Sequence, residues 1–341
     1  MQHARGPRPD PAHGYCTDDV ARALQVDLLH QRELGWQAVE ASAWRHIRFL
    51  DEALDRTMRR FRNFRRVDGS WLEGPASEDS QGRAMLALGE TIAESPDDRM
   101  VESAASLFSL ALPQAQELGA LRAQASVLLG CDAAMRGGPS GSTRLAYRSL
   151  ARRIRSTFDA RPTLTWPWPE QRLTYENALP VRALVVAGRN LGVPQMTAIG
   201  LEILDWLIVA QTAPRGHFSP IGNGWWPKGG TKSQFDQQPI EATALILAAE
   251  EAFAETGSAR YRVAMEQAYA WFLGANDLGL QVAEPENGAS FDGLTPSGVN
   301  TNQGAESTLM WLMALEHIRA LRCGRSTAGP MIVGPAAIAA P

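Results

Sequence analysis

At 341 residues, with 45% hydrophobic and 21% charged residues, the chain has room for one large domain or two ordinary ones and the composition of a globular protein. A formal net charge of -4 and a pI near 5.9 give no electrostatic case for nucleic acid or an anionic membrane as partner. No apolar run reaches the roughly 18 residues needed to span a bilayer. Three widely spaced cysteines (Cys16, Cys131, Cys323) offer neither a disulfide framework nor a zinc site.

The N-terminal stretch M-Q-H-A-R-G-P-R-P-D-P lacks the apolar core of a signal peptide, so a cytoplasmic location is expected, whether the stretch is native or the edge of a truncated or fused segment. From there apolar residues recur at helical spacing through most of the chain, and strand alternation is scarce. Six helices are predicted to begin near residues 18, 79, 122, 176, 239 and 304; they are rich in Ala and Leu and nearly free of charge after their first turns, which marks them as buried. Helices with a polar face alternate with them, at about 37 to 55, 98 to 117, 143 to 158, 194 to 210 and 258 to 273. Arg-Ala recurs at Arg22-Ala23, Arg83-Ala84, Arg122-Ala123 and Arg182-Ala183, each time near the start of a buried helix. Alternating buried and half-buried helices with a weak repeat point to an all-α (α/α)6 toroid spanning residues 1–325, with an open solenoid as the rival. The sixth outer helix is missing from this pattern or has to come from the N-terminal segment. Arg62, Arg65 and Arg66 read as a solvated face, and the Ala-, Gly- and Pro-rich residues 326–341 as a disordered tail.

In such a toroid the loops leading into the buried helices gather at one end, so scattered positions converge on one funnel. The longest of these loops runs from Gly216 into a helix at Pro239 and holds His217, Asn223, Trp225, Trp226, the chain's only two lysines (Lys228 and Lys232), Asp236, Gln237 and, one turn on, Glu241. The other four bring Asp18 and Asp19; Trp71, Glu78 and Asp79; Trp168, Tyr175 and Glu176; and Asn302, Gln303 and Glu306. Capping and the helix macrodipole alone would place acids in first turns, and Asp79 and Arg83 are spaced for an i,i+4 ion pair. Glu241, two residues after Pro239, has the look of such a capping acid. Capping does not, however, call for Trp, Tyr, Asn, Gln and Gly beside each acid. Aromatic faces beside amides and acids suit sugar rings, whose C–H faces stack while their hydroxyls hydrogen-bond.

Glycoside hydrolysis needs two carboxyl groups, one protonated and one ionised. Asp236, Glu78, Asp79 and Asp19 are the catalytic candidates, with Glu241 and Glu306 behind them. Asp18, Trp71, Trp168, Tyr175, Glu176, His217, Asn223, Trp225, Trp226, Gln237, Asn302 and Gln303 are the candidate sugar-binding residues. His13 and His217 would instead serve a sugar epimerase or isomerase as base and acid. No Gly-x-Ser-x-Gly, His-Glu-x-x-His, Walker or dinucleotide fingerprint is present, and no metal or cofactor is expected.

The strings G-Y-C-T-D-D-V-A-R-A-L, S-E-D-S-Q-G-R-A, T-Y-E-N-A-L-P, G-H-F-S-P-I-G-N, Q-F-D-Q-Q-P-I-E-A and N-Q-G-A-E-S-T-L together resemble a bacterial family of six-hairpin-glycosidase-like proteins, from His13 to Leu315. The resemblance implies an (α/α)6 barrel and a role in carbohydrate metabolism. Members are often described as glycosyltransferase-associated, which implies a glycosyltransferase as a further partner, or a silent sugar-binding role beside one. The resemblance assigns no catalytic pair.

Overall fold

In the computed structural model, which describes residues 1–72, 77–138, 140–160, 163 and 165–325, eleven helices form the body of the protein. They are α1 (Thr17–Leu34), α2 (Trp36–Ala53), α3 (Glu78–Glu94), α4 (Asp98–Ala115), α5 (Leu121–Gly137), α6 (Gly141–Asp159), α7 (Ala178–Leu191), α8 (Pro194–Ala210), α9 (Pro239–Thr256), α10 (Ala259–Phe272) and α11 (Ala305–Arg322). The odd-numbered helices are the inner ring: α1 touches α3, α3 touches α5, and so on through α7, α9 and α11, which closes back on α1. The even-numbered helices lie outside, each against the inner helix before it. This is the (α/α)6 toroid, and every inner helix starts within two residues of its expected position.

Local chemistry sets the helix ends. Ser77 caps α3 through Ser80 N–H and Asp97 caps α4 through Arg99 N–H, while Pro194 and Pro239 open α8 and α9 where a missing N–H costs nothing. Gly192 and Gly257 close α7 and α9 in the left-handed conformation. A seam of small residues draws α3 and α5 together: a Cβ added at Gly89 would stand 2.1 Å from the carbonyl oxygen of Gly130, and one added at Gly137 2.1 Å from that of Ile92. The inner helices are therefore Ala- and Gly-rich for closeness as well as for burial.

No sixth outer helix occurs among the described residues. The N-terminal segment is a strap rather than a helix: a short hairpin pairs Ala4–Arg5 with Arg8–Pro9, and a 3-10 turn spans Pro11–His13. The strap lies over the start of α11, where Ala305 N–H donates to the Met1 carbonyl and Ala4 N–H to Asn302 Oδ1. Residues 326–341, read above as a disordered tail, lie outside the described residues. No described helix is long and apolar enough to cross a membrane.

Candidate active site

All six inner helices point their N-termini to the same end of the barrel, and a cleft of about 160 Å³ opens there, lined by Asp18, Arg22, Asp79, Arg83, Tyr175, Asn223, Trp225, Gln238, Ile240 and Glu306. Adjacent helices α11, α1 and α3 contribute Glu306, Asp18 and Asp79 in their first turns. Helix dipoles favour negative charge at such positions. The opposite wall comes from the loops ahead of α7 and α9.

Beneath the carboxylates lies a lattice the sequence marked only as a repeat. Arg22 bridges Asp19 Oδ1 and Glu306 Oε2, each at 2.9 Å. Arg83 grips Glu176 through two nitrogens, at 3.2 and 2.6 Å, and stands 3.7 Å from Asp18. The expected Asp79–Arg83 ion pair is not what forms. Asp79 Oδ2 instead accepts a 2.5 Å hydrogen bond from the Tyr175 hydroxyl. Arg122, third of the Arg-Ala arginines, reaches Glu170, Asn177 Oδ1 and the Tyr175 carbonyl, and its guanidinium lies 4.9 Å from the Tyr175 ring. Recurring Arg near the start of a buried helix was the available signal for these residues, because an unpaired guanidinium has no place in a core.

The long loop presents one aromatic to the cleft. Trp225 sits at φ +65°, rare for a bulky side chain, and Glu176 and Asp236 are also in the left-handed region, at φ +48° and +58°. Gly222 makes the turn possible, since a Cβ there would lie 1.7 Å from the Phe235 carbonyl oxygen. Lys232 staples the loop by donating to the carbonyls of Ala210 and Ser219. Arg172 lies 5.3 Å from the Trp225 ring, and Trp225 Nε1 is buried without a hydrogen-bond partner among the described residues.

Several sequence candidates sit elsewhere. Trp168 is fully buried against Phe158, and Trp226 stacks on Trp206, so both are packing anchors. Trp71 packs on Phe49, with the Arg62 and Arg65 guanidiniums 5.9 and 5.5 Å from its ring, and does not line the cleft. Gln237 is buried and bonded to Trp271, Asp277 and the Gln234 carbonyl. Asn302 holds the N-terminal strap and Gln303 donates to Glu284. Asp236 is exposed and does not line the cleft. Neither histidine reaches it: His217 is held by Asp277 at 3.2 Å, and His13 meets His3 edge to face. Among the described residues no group of acids, histidines and cysteines is arranged to hold a metal ion.

Two first-turn acids serve neighbouring helices. Glu78 accepts from the N–H groups of Gly119 and Ala120, where the chain enters α5. Glu241 accepts from Glu176 N–H and Asn177 Nδ2, where it enters α7. Glu78→Ala is expected to lower stability by about 1–2 kcal/mol, the worth of a lost cap, with turnover unchanged. A urea midpoint and a rate on the same preparation check it, and lost turnover at an unchanged midpoint would return Glu78 to the chemistry.

Burial raises the Glu241 carboxyl from 4.5 to about 7, against the hydrogen bonds it accepts. Burial also raises Asp19 from 3.8 to about 6, with Arg22 opposing. Both groups hold protons more tightly folded than unfolded, so the stability they contribute is full below the unfolded values of 3.8 and 4.5 and is lost as pH rises from there through about 6 and about 7. Unfolding free energy is therefore expected to decline through this window, and Glu241→Gln to flatten the decline. Urea midpoints taken across the window test this; a rise in wild-type stability, or an unchanged slope in the variant, would refute it.

No family model matches the sequence, and no curated protein matches it. Solved structures do. The cellobiose 2-epimerase of Spirochaeta thermophila is 16% identical, with a TM-score of 0.72 over 95% of this chain and 90% of that one. A D-mannose isomerase is 10% identical, with a TM-score of 0.68 over 94% and 91%. The GH76 alpha-mannanase of Bacteroides thetaiotaomicron is 9% identical, with a TM-score of 0.63 over 90% and 88%. At these identities the likeness is one of architecture: this chain has the (α/α)6 barrel fold of those three enzymes, as its resemblance to six-hairpin glycosidases implies.

Proposed function

We propose that the chain is a carbohydrate-active enzyme, and specifically a glycoside hydrolase. The observation that carries this reading is the meeting of three carboxylates, Asp18, Asp79 and Glu306, with one strained tryptophan in a single cleft. Trp225 offers a face for a sugar ring, and Asn223 and Gln238 offer amides to its hydroxyls. Asp79 and Glu306 stand on the two helices flanking α1, so a glycosidic oxygen above Asp18 would have a carboxyl group on either side. One protonates the leaving oxygen and the other activates water or attacks the anomeric carbon. The Tyr175 hydroxyl fixes one oxygen of Asp79 and leaves the other for the reaction.

A second reading rests on the Tyr175–Asp79 contact, which gives an O–H donor and a carboxylate within one hydrogen bond for moving a proton at a sugar carbon, as a sugar epimerase or isomerase requires. It would use these residues rather than His13 and His217. Oligosaccharide incubations in deuterated water separate the two: hydrolysis yields shorter sugars, while epimerisation by proton exchange yields isomers of unchanged length carrying deuterium on carbon. Isomers without hydrolysis would sink the hydrolase reading. The expected glycosyltransferase partner gains no support from the three structures compared.

A further inference from the structure

The strongest chemical bias of this cleft is its charge. Five carboxylates stand at or just beneath it (Asp18, Asp19, Asp79, Glu176 and Glu306) against two guanidiniums, Arg22 and Arg83. Each guanidinium is buried with both terminal nitrogens engaged by acids, Arg22 by Asp19 and Glu306 and Arg83 by Glu176, while its Nε makes no hydrogen bond among the described residues and in Arg83 stands 3.7 Å from Asp18. One such N–H can donate to a sugar hydroxyl, but it does not make the two-pronged grip that a carboxylate or sulfate takes from a free guanidinium. Arg122 is committed to Glu170, Asn177 and the Tyr175 backbone, and Arg172 lies by the Trp225 ring outside the cleft lining. Asp79 and Glu306, by contrast, each keep one carboxylate oxygen without a hydrogen bond among the described residues. The surplus is thus negative and open, while the positive charge is spent inward.

Building on the carbohydrate reading, we propose that the cleft selects by charge: it takes neutral and protonated amino sugars and rejects uronates and sulfated or phosphorylated sugars. An anionic substituent entering here meets like charge, and capturing Arg22 would require it to displace Glu306 or Asp19. An ammonium group finds the open oxygens of Asp79 and Glu306.

Direct binding to a panel of oligosaccharides tests this, with neutral, amino, uronic and sulfated members matched in linkage and length, read by calorimetry or by tryptophan fluorescence. Neutral or amino members are expected to bind at least about tenfold more tightly than their matched anions. Glu306→Gln removes a like charge and frees part of Arg22, so it is expected to narrow that gap. An anionic member bound as tightly as its neutral counterpart would overturn the charge selection, and so would an unchanged gap in Glu306→Gln. If no sugar of any charge bound, the carbohydrate reading itself would fall, and the two failures are told apart by whether anything binds.

Discussion

Asp79→Asn is expected to lower kcat on the order of a thousand-fold while leaving the urea midpoint nearly unchanged. The asymmetry follows from what holds the side chain. Its only hydrogen bond among the described residues comes from the Tyr175 hydroxyl, at 2.5 Å, and an asparagine Oδ1 can still accept that bond, without the carboxylate's charge. The amide keeps shape and contact and loses the ability to take or hold a proton. Glu306→Gln is expected to lose turnover to a similar degree, with Arg22 still paired to Asp19. Asp236→Asn is the instructive control, because the sequence ranks Asp236 beside Asp79, whereas its side chain is exposed on a left-handed turn and does not line the cleft. Its kcat is expected to stay within about a factor of three of wild type. A large loss in Asp236→Asn with none in Asp79→Asn would mean that the loop delivers its acid by moving, and the pair assigned here would be wrong.

Why Asp79 and Asp236 are hard to rank from sequence is a matter of what is local. The helices are legible because burial repeats every turn: the alternation of Ala- and Leu-rich with amphipathic segments locates all eleven, and the common end of the inner six follows from their parallel arrangement. Which first-turn acid faces the funnel is set instead by contacts across the ring. Glu78 and Asp79 are adjacent, yet one turns sideways to Gly119 and Ala120 while the other faces the cleft. Trp225 and Trp226 are also adjacent. A positive φ at Trp225 sends it to the cleft, and Trp226 stacks on Trp206 of an outer helix, a partner that nothing in the loop announces. The same limit explains the arginines. Arg83 reads as half of an i,i+4 pair with Asp79, but its bidentate partner is 93 residues away. The repeat was visible; its meaning was not, because burial of charge is decided by neighbours distant in sequence.

That distant pair carries a large expected stability effect. Arg83→Met removes the only cation that holds Glu176 among the described residues and leaves its carboxylate buried at a backbone conformation it adopts with strain, φ +48°. Breaking a buried ion pair in this way typically costs about 3–5 kcal/mol, whereas replacing both partners by uncharged groups is often close to neutral. The double variant Arg83→Met/Glu176→Gln is therefore expected to be more stable than Arg83→Met alone, which is the reverse of additive damage. A double-mutant cycle on urea midpoints reads the coupling directly. A single variant costing less than about 1 kcal/mol would show that Glu176 escapes to water or sheds its charge, and the arginine lattice would then be support for the cleft rather than its foundation. If the coupling has the expected sign, Arg83 is one of the groups that hold the strained Glu176, beside Glu241 on its N–H and Arg122 on the neighbouring Tyr175. Any loss of turnover in the double variant then measures how far the cleft depends on being held from beneath.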